Sequence, residues 1–135
     1  MRLAELRGDI VILACAISAG IHGALAPAHF GVGTGAGLGF VLATLLLAAV
    51  AVALTLRPKS ALAVSAAAAV LVGLLAGYAL AITTGLPLLH PESEPVDGLA
   101  LATKAIEAAG LVAATTLLRR PFLVPFIPRP KGTLT

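Results

Sequence analysis

Four long apolar stretches, separated by short polar interruptions, organise this chain: about Ile10 to Phe30, Gly35 to Leu56, Ala61 to Ile82 and Gly98 to Leu118. Each is close to the roughly 20 residues that an α-helix needs to cross about 30 Å of hydrocarbon. Backbone amides in lipid must be bonded within their own segment or within a closed barrel. A barrel calls for alternating strands of about ten residues flanked by aromatic girdles, whereas this chain has no Trp and runs such as Ala61 to Ala69. The pattern therefore predicts an all-α, four-helix transmembrane bundle over residues 1–118, followed by a Pro-rich basic tail, residues 119–135. Prolines at 121, 125, 128 and 130 prevent the tail from continuing the last helix. Its apolar residues Phe122, Val124, Phe126 and Ile127 suit a short anchor along the inner interface or a free end equally.

Composition turns this from an option into a requirement. Over the 135 residues, 59% are hydrophobic and 11% charged, with a mean hydropathy of +1.06. A soluble domain carries about 25% charged residues to clothe its core, so lipid is the solvent for most of this surface. One cysteine, Cys15, rules out a disulfide scaffold. The net charge of +3 does not indicate nucleic acid, because the basic residues stand at the ends of apolar segments and form no solvated face.

Those ends set the orientation. Arg2 and Arg7 precede the first span, Arg57 and Lys59 lie between the second and third, and Arg119, Arg120, Arg129 and Lys131 follow the fourth. The other two connections carry no Lys or Arg. Eight of the nine basic residues thus fall on one side when both termini are cytoplasmic, and an even number of spans demands that the termini share a side. The expected location is the cell membrane. Ala24-Leu25-Ala26 imitates a signal-peptide cleavage site, but Pro27 directly after it argues against processing.

Glycines recur at helical spacing. Gly31, Gly35 and Gly39 fall on one face, and Gly73 and Gly77 repeat the interval in the third span. No GxGxxG or Walker lysine accompanies them. Small residues four apart let helices approach closely, within the bundle, in a homo-oligomer or against a larger membrane partner. A flexible hinge or close approach of a ligand is the other use of such a face.

Ionisable residues at membrane depth cost about 2.5–3.5 kcal/mol each on insertion scales and mark candidate sites. His22, Lys104 and Glu107 qualify. His22 lies eight residues before Phe30, roughly 12 Å below the outer end, and Glu107 nine residues after Gly98, roughly 13–14 Å below the same surface. Although their spans run antiparallel, the two groups reach one level, where carboxylate and imidazole couple their protonation. Lys104 faces Glu107 at i,i+3 as an intramembrane ion pair. His29 returns to the face of His22 after seven residues, unless Pro27 bends the segment. Asp97, Lys104 and Glu107 form a stripe on the fourth span, and His90, Glu92, Glu94 and Asp97 form the lip of an outward-opening polar shaft, with Thr83 and Thr84 at its mouth. The bland reading gives Lys104 and Glu107 to mutual neutralisation and His22 to a hydrogen bond with Ser18 one turn earlier.

The segments Ile21-His22 through Ala26-Pro27-Ala28-His29-Phe30, Thr83-Thr84-Gly85-Leu86-Pro87 and Glu94-Pro95-Val96-Asp97-Gly98, with Glu107 ten residues on, resemble small four-span integral membrane proteins of high-GC actinobacteria. The resemblance spans about residues 20–110. It implies topology and a paired His/acid arrangement, not a reaction. The glycine run from Gly31 to Gly39 departs from the pattern, which has bulkier residues there.

Two function classes follow. One is cation handling, with a proton, Zn or Cu bound by His22, His29 and Glu107, since imidazole and carboxylate suit those metals and intramembrane His/Glu chains suit proton relays. The other is a non-catalytic accessory subunit packing through its Gly/Ala faces. No cofactor is required by the sequence, and with no activated nucleophile or cofactor motif an enzyme is not expected.

Overall fold

The computed structural model describes residues 3–86 and 95–119. His90, Glu92 and Glu94 of the expected lip, and the tail beyond Arg119, lie outside these residues. Four helices result: α1 (Leu3–Val32), α2 (Thr34–Leu56), α3 (Ala61–Thr83) and α4 (Gly98–Leu118). All four are long and apolar enough to cross a membrane, so the fold is the all-α four-helix bundle that the apolar pattern demands. The outer surface fits a multi-pass membrane protein. Leu13, Leu42, Leu45, Leu62 and Val112 are each more than half exposed, and an apolar surface on every side is tolerated in lipid but not in water.

α1 is longer than its apolar stretch. It begins at Leu3, runs straight through Pro27 and ends at Val32, a length of about 45 Å. No proline interrupts residues 3–9, so the helix starts seven residues ahead of the apolar stretch. Pro27 removes one backbone hydrogen bond, to the carbonyl of Gly23, without ending the helix. A single residue, Gly33, then joins α1 to α2, its N–H donating to the carbonyl of His29 at 3.0 Å. The four residues expected between the two spans are reduced to this one glycine because helical geometry persists almost to the turn.

The other helix ends have local causes. Ser60 caps α3 by accepting from Ala63 N at 3.2 Å, and Asp97 caps α4 by accepting from Ala100 N at 2.7 Å. Gly85 follows the end of α3 at φ 70°, the left-handed conformation that lets a chain leave a helix and that side chains disfavour. Thr44, Thr55, Thr83 and Thr103 each donate to the carbonyl four residues earlier, so their hydroxyls need no partner from outside their helix.

α1 packs most extensively on α2 and then on α4, α3 packs on α4, and the α2–α3 contact is thinner. The bundle divides by depth. At the end carrying the α2–α3 turn, Val11, Cys15, Leu47, Leu54, Ala67, Leu71 and Ala114 form a dry core. Towards the opposite end the buried stripe of α3 lapses between Leu71 and Ala81, and a cavity of about 310 Å³ opens between the helices.

Gly110 holds α4 against its neighbours. A Cβ there would lie 2.6 Å from Ala14 Cβ and 3.3 Å from Leu71 Cδ1. Ala14 cannot yield without moving α1. Phe30 likewise lies flat against Gly37. At Gly31, Gly73 and Gly77 an added Cβ meets nothing within 4 Å. Close approach inside the bundle is therefore carried by Gly110 and Gly37, not by those three. Gly110→Ala should destabilise the bundle by about 1–3 kcal/mol through overpacking. Gly31→Ala should be neutral or stabilising by up to about 1 kcal/mol from helix propensity. Reversible unfolding in mixed micelles measures both.

Candidate functional site

The site lies where the dry core meets the cavity. Ser18 and His22 are one turn apart on the buried face of α1, which runs Val11, Cys15, Ser18, His22, Ala26. Glu107 belongs to the buried face of α4, with Thr103, Gly110 and Ala114. Packing α1 on α4 brings the two polar segments together. Ser18 Oγ donates to Glu107 Oε1 at 2.6 Å, and Lys104 Nζ donates to Glu107 Oε2 at 2.7 Å. The Glu107 side chain is 0% exposed and that of Lys104 15%. Each carboxylate oxygen thus has a donor, one of them charged, as a carboxylate removed from water requires.

His22 joins this chain through Ser18 alone. Its Nδ1 lies 2.9 Å from the Ser18 carbonyl, which only accepts, so Nδ1 carries the hydrogen. The same hydrogen faces Ser18 Oγ at 3.3 Å. In the neutral ring Nε2 then holds the lone pair. The sequence predicts that His22 and Glu107 share a depth, and they do share a cluster, but the Ser18 hydroxyl stands between them. The hydrogen-bonded order is Lys104, Glu107, Ser18, His22.

The cavity lies beside this chain. Its polar lining among the described residues is His22, His29, Tyr78, Asp97, Thr103 and Lys104, and most of the remaining wall is apolar. Lys104 Nζ stands 5.4 Å from the centre of the Tyr78 ring. The Tyr78 hydroxyl is buried without a hydrogen-bond partner among the described residues. Asp97 lines the cavity while capping α4. Thr83 and Thr84 are exposed, bond back to α3 and take no part in the lining.

His29 also turns Nδ1 back, to the Leu25 carbonyl at 3.0 Å. The two histidines do face one side of α1, but Phe40 of α2 is packed against both. Its ring stacks on His29 with centroids 3.6 Å apart and lies tilted against His22 at 5.2 Å. Among the described residues no group of three His, Cys, Asp or Glu side chains stands close enough to hold one metal ion. His22, His29 and Glu107 are therefore not gathered into a shared Zn or Cu site there.

Three of the five glycines singled out for helix packing, Gly39, Gly73 and Gly77, line the cavity. Gly31 is exposed and takes no part in the lining. Spacing places such residues on a common face but cannot say whether that face meets a helix or a void. Phe40, Tyr78 and Gly110 escape sequence reasoning. Aromatic and small residues in apolar spans are ordinary, and only the three-residue step from Glu107 to Gly110 hints at a shared face.

The ion pair yields a sign-specific prediction. Removing one member of a buried pair strands the other and costs about 3–5 kcal/mol, whereas removing both is far milder. Lys104→Met and Glu107→Leu should each destabilise strongly, and the double variant should be more stable than Lys104→Met alone. Chemical unfolding of the four proteins in detergent, read as a double-mutant cycle, checks this. Compared with protein-family models, with curated proteins and with solved structures, the chain matches none.

Proposed function

We propose that this chain is a proton-linked, non-catalytic membrane protein, in which Glu107 exchanges a proton with the cavity through Ser18 and His22. The observation that carries this reading is the unbroken sequence of hydrogen bonds from His22 through Ser18 to the fully buried Glu107. A hydroxyl both accepts and donates, so Ser18 can pass a proton between imidazole and carboxylate without leaving its place. Lys104 balances the ionised carboxylate, so that losing a proton leaves no net buried charge. Beyond Glu107 lies the dry core, and proton access therefore comes from the cavity side alone. With the positive-inside orientation that side is the outer one, and the cell membrane is the host. Of the cations the sequence allows, the proton suits a linear hydrogen-bonded chain, whereas a metal asks for converging ligands.

The test is infrared titration of the Glu107 carboxyl band in lipid bilayers, with Glu107→Gln identifying the band. His22→Ala should move the titration midpoint, and in a Ser18→Ala background the same substitution should have no further effect. One midpoint common to wild type, His22→Ala and Ser18→Ala would defeat the proposal.

A second reading, an accessory subunit that packs against a partner helix, is favoured by one observation. Ala16, Gly20, Ala24 and Ala28 form an exposed small-residue face on α1, and nothing lies within 4 Å of a Cβ at Gly20. Helices in lipid associate through such faces. Energy transfer between labelled copies in bilayers separates the readings: self-association that Gly20→Ile abolishes supports packing through this face, and a wild-type monomer removes the homo-oligomeric form of it.

A further inference from the structure

We propose that the cavity is a binding site for a neutral, planar, hydroxyl-bearing ring of the phenol or hydroquinone class, taken up from the membrane phase. Size sets the first limit. At about 310 Å³ the cavity stands at the lower end of the range for small-molecule sites, enough for one or two fused rings but not for a lipid.

Shape comes from the glycines. Gly73 and Gly77 of α3 face the cavity, and a Cβ on either meets only open space. Helix packing does not require glycine at these positions. Their absent side chains leave a flat wall on α3 beside Tyr78, and Phe40 presents an aromatic ring from α2. A flat slot with aromatic rings in its walls favours a planar guest, since ring faces and edges attract.

Charge favours neither sign of ion. Glu107 behind Lys104, bonded at 2.7 Å, neutralises its ammonium, so an anion gains little to offset its dehydration, and Asp97, the carboxylate that would draw a cation, is already engaged in capping α4. Asp97 in the lining repels an anion further. What the polar end offers is a complementary pair: the His22 Nε2 lone pair, left by commitment of Nδ1 to the Ser18 carbonyl, and the Lys104 hydrogens not engaged by Glu107. A single hydroxyl answers both by donating to the imidazole and accepting from the ammonium. An aromatic hydroxyl does so while its ring fills the slot.

The proposal does not rest on proton uptake by Glu107. Binding is read from Tyr78 emission and Glu107 protonation from its infrared band, so either reading can fail while the other stands. Tyr78 is the only tyrosine and the chain has no Trp, so intrinsic fluorescence reports on the cavity wall alone. With 2-naphthol as probe and the full chain in detergent or bilayers, emission should be quenched saturably. Naphthalene, of the same shape without the hydroxyl, should bind about tenfold more weakly, the value of one good hydrogen bond. Decanoate should not compete. His22→Phe should erase the preference for naphthol over naphthalene, and Gly77→Leu should fill the slot and abolish saturable quenching. Circular dichroism and unfolding establish that each variant is folded, and Gly73→Leu replaces Gly77→Leu where the latter fails. Equal affinity for naphthol and naphthalene, or undiminished quenching in the folded leucine variant, would overturn the assignment.

Discussion

A carboxylate with no access to water governs this bundle. Glu107 is fully buried in a protein whose surroundings are lipid, and an isolated charge there would cost several kcal/mol. Its two oxygens must therefore be met by donors on fixed elements. Lys104 supplies one from the preceding turn of α4, and Ser18 supplies the other from α1. The second bond is the consequential one, because it ties two helices at a set depth and rotation. Apolar helix faces in lipid slide over one another at little cost; a buried hydrogen bond between a hydroxyl and a carboxylate fixes their register.

From that register the rest of the layout follows. With Ser18 opposite Glu107, Ala14 meets Gly110 one turn further into the core. Only a glycine tolerates α1 so near. Below this level the helices close into a dry core of small and branched residues. Above it, Gly73 and Gly77 lack side chains to fill the space between α3 and the α1–α2 pair, and the cavity results. The same residue type thus does opposite things at two depths. Gly110 lets backbones touch, and Gly73 and Gly77 keep a void open.

The proposed relay and the proposed binding slot share His22 but use different atoms of it. Nδ1 faces Ser18 and so belongs to the chain leading to Glu107. Nε2 is left for whatever occupies the cavity. A guest hydroxyl on Nε2 would bias the ring's protonation, and through Ser18 that of Glu107, which gives binding and proton exchange a common pivot. Phe40 packs against both histidine rings, stacked on His29 and tilted against His22.

The order of residues alone dictates the fold class, since four apolar runs of membrane-spanning length with 11% charged residues overall leave a helical bundle as the one workable solution. It also determined the Lys104–Glu107 pair, because i,i+3 proximity is a local property of any helix, and the common depth of His22 and Glu107, because rise per residue is constant. What lies across from each group depends on how the helices pack. Ser18 reads as a local partner of His22, and nothing in the spacing says that its hydroxyl reaches a residue 89 positions away. Whether a glycine face meets a helix or an empty slot depends on rotation about the helix axis, which in a bundle apolar on all sides has no sequence signature. Here that rotation is set by one polar contact, the bond from Ser18 to Glu107, and so the cavity became visible only when the helices were placed together.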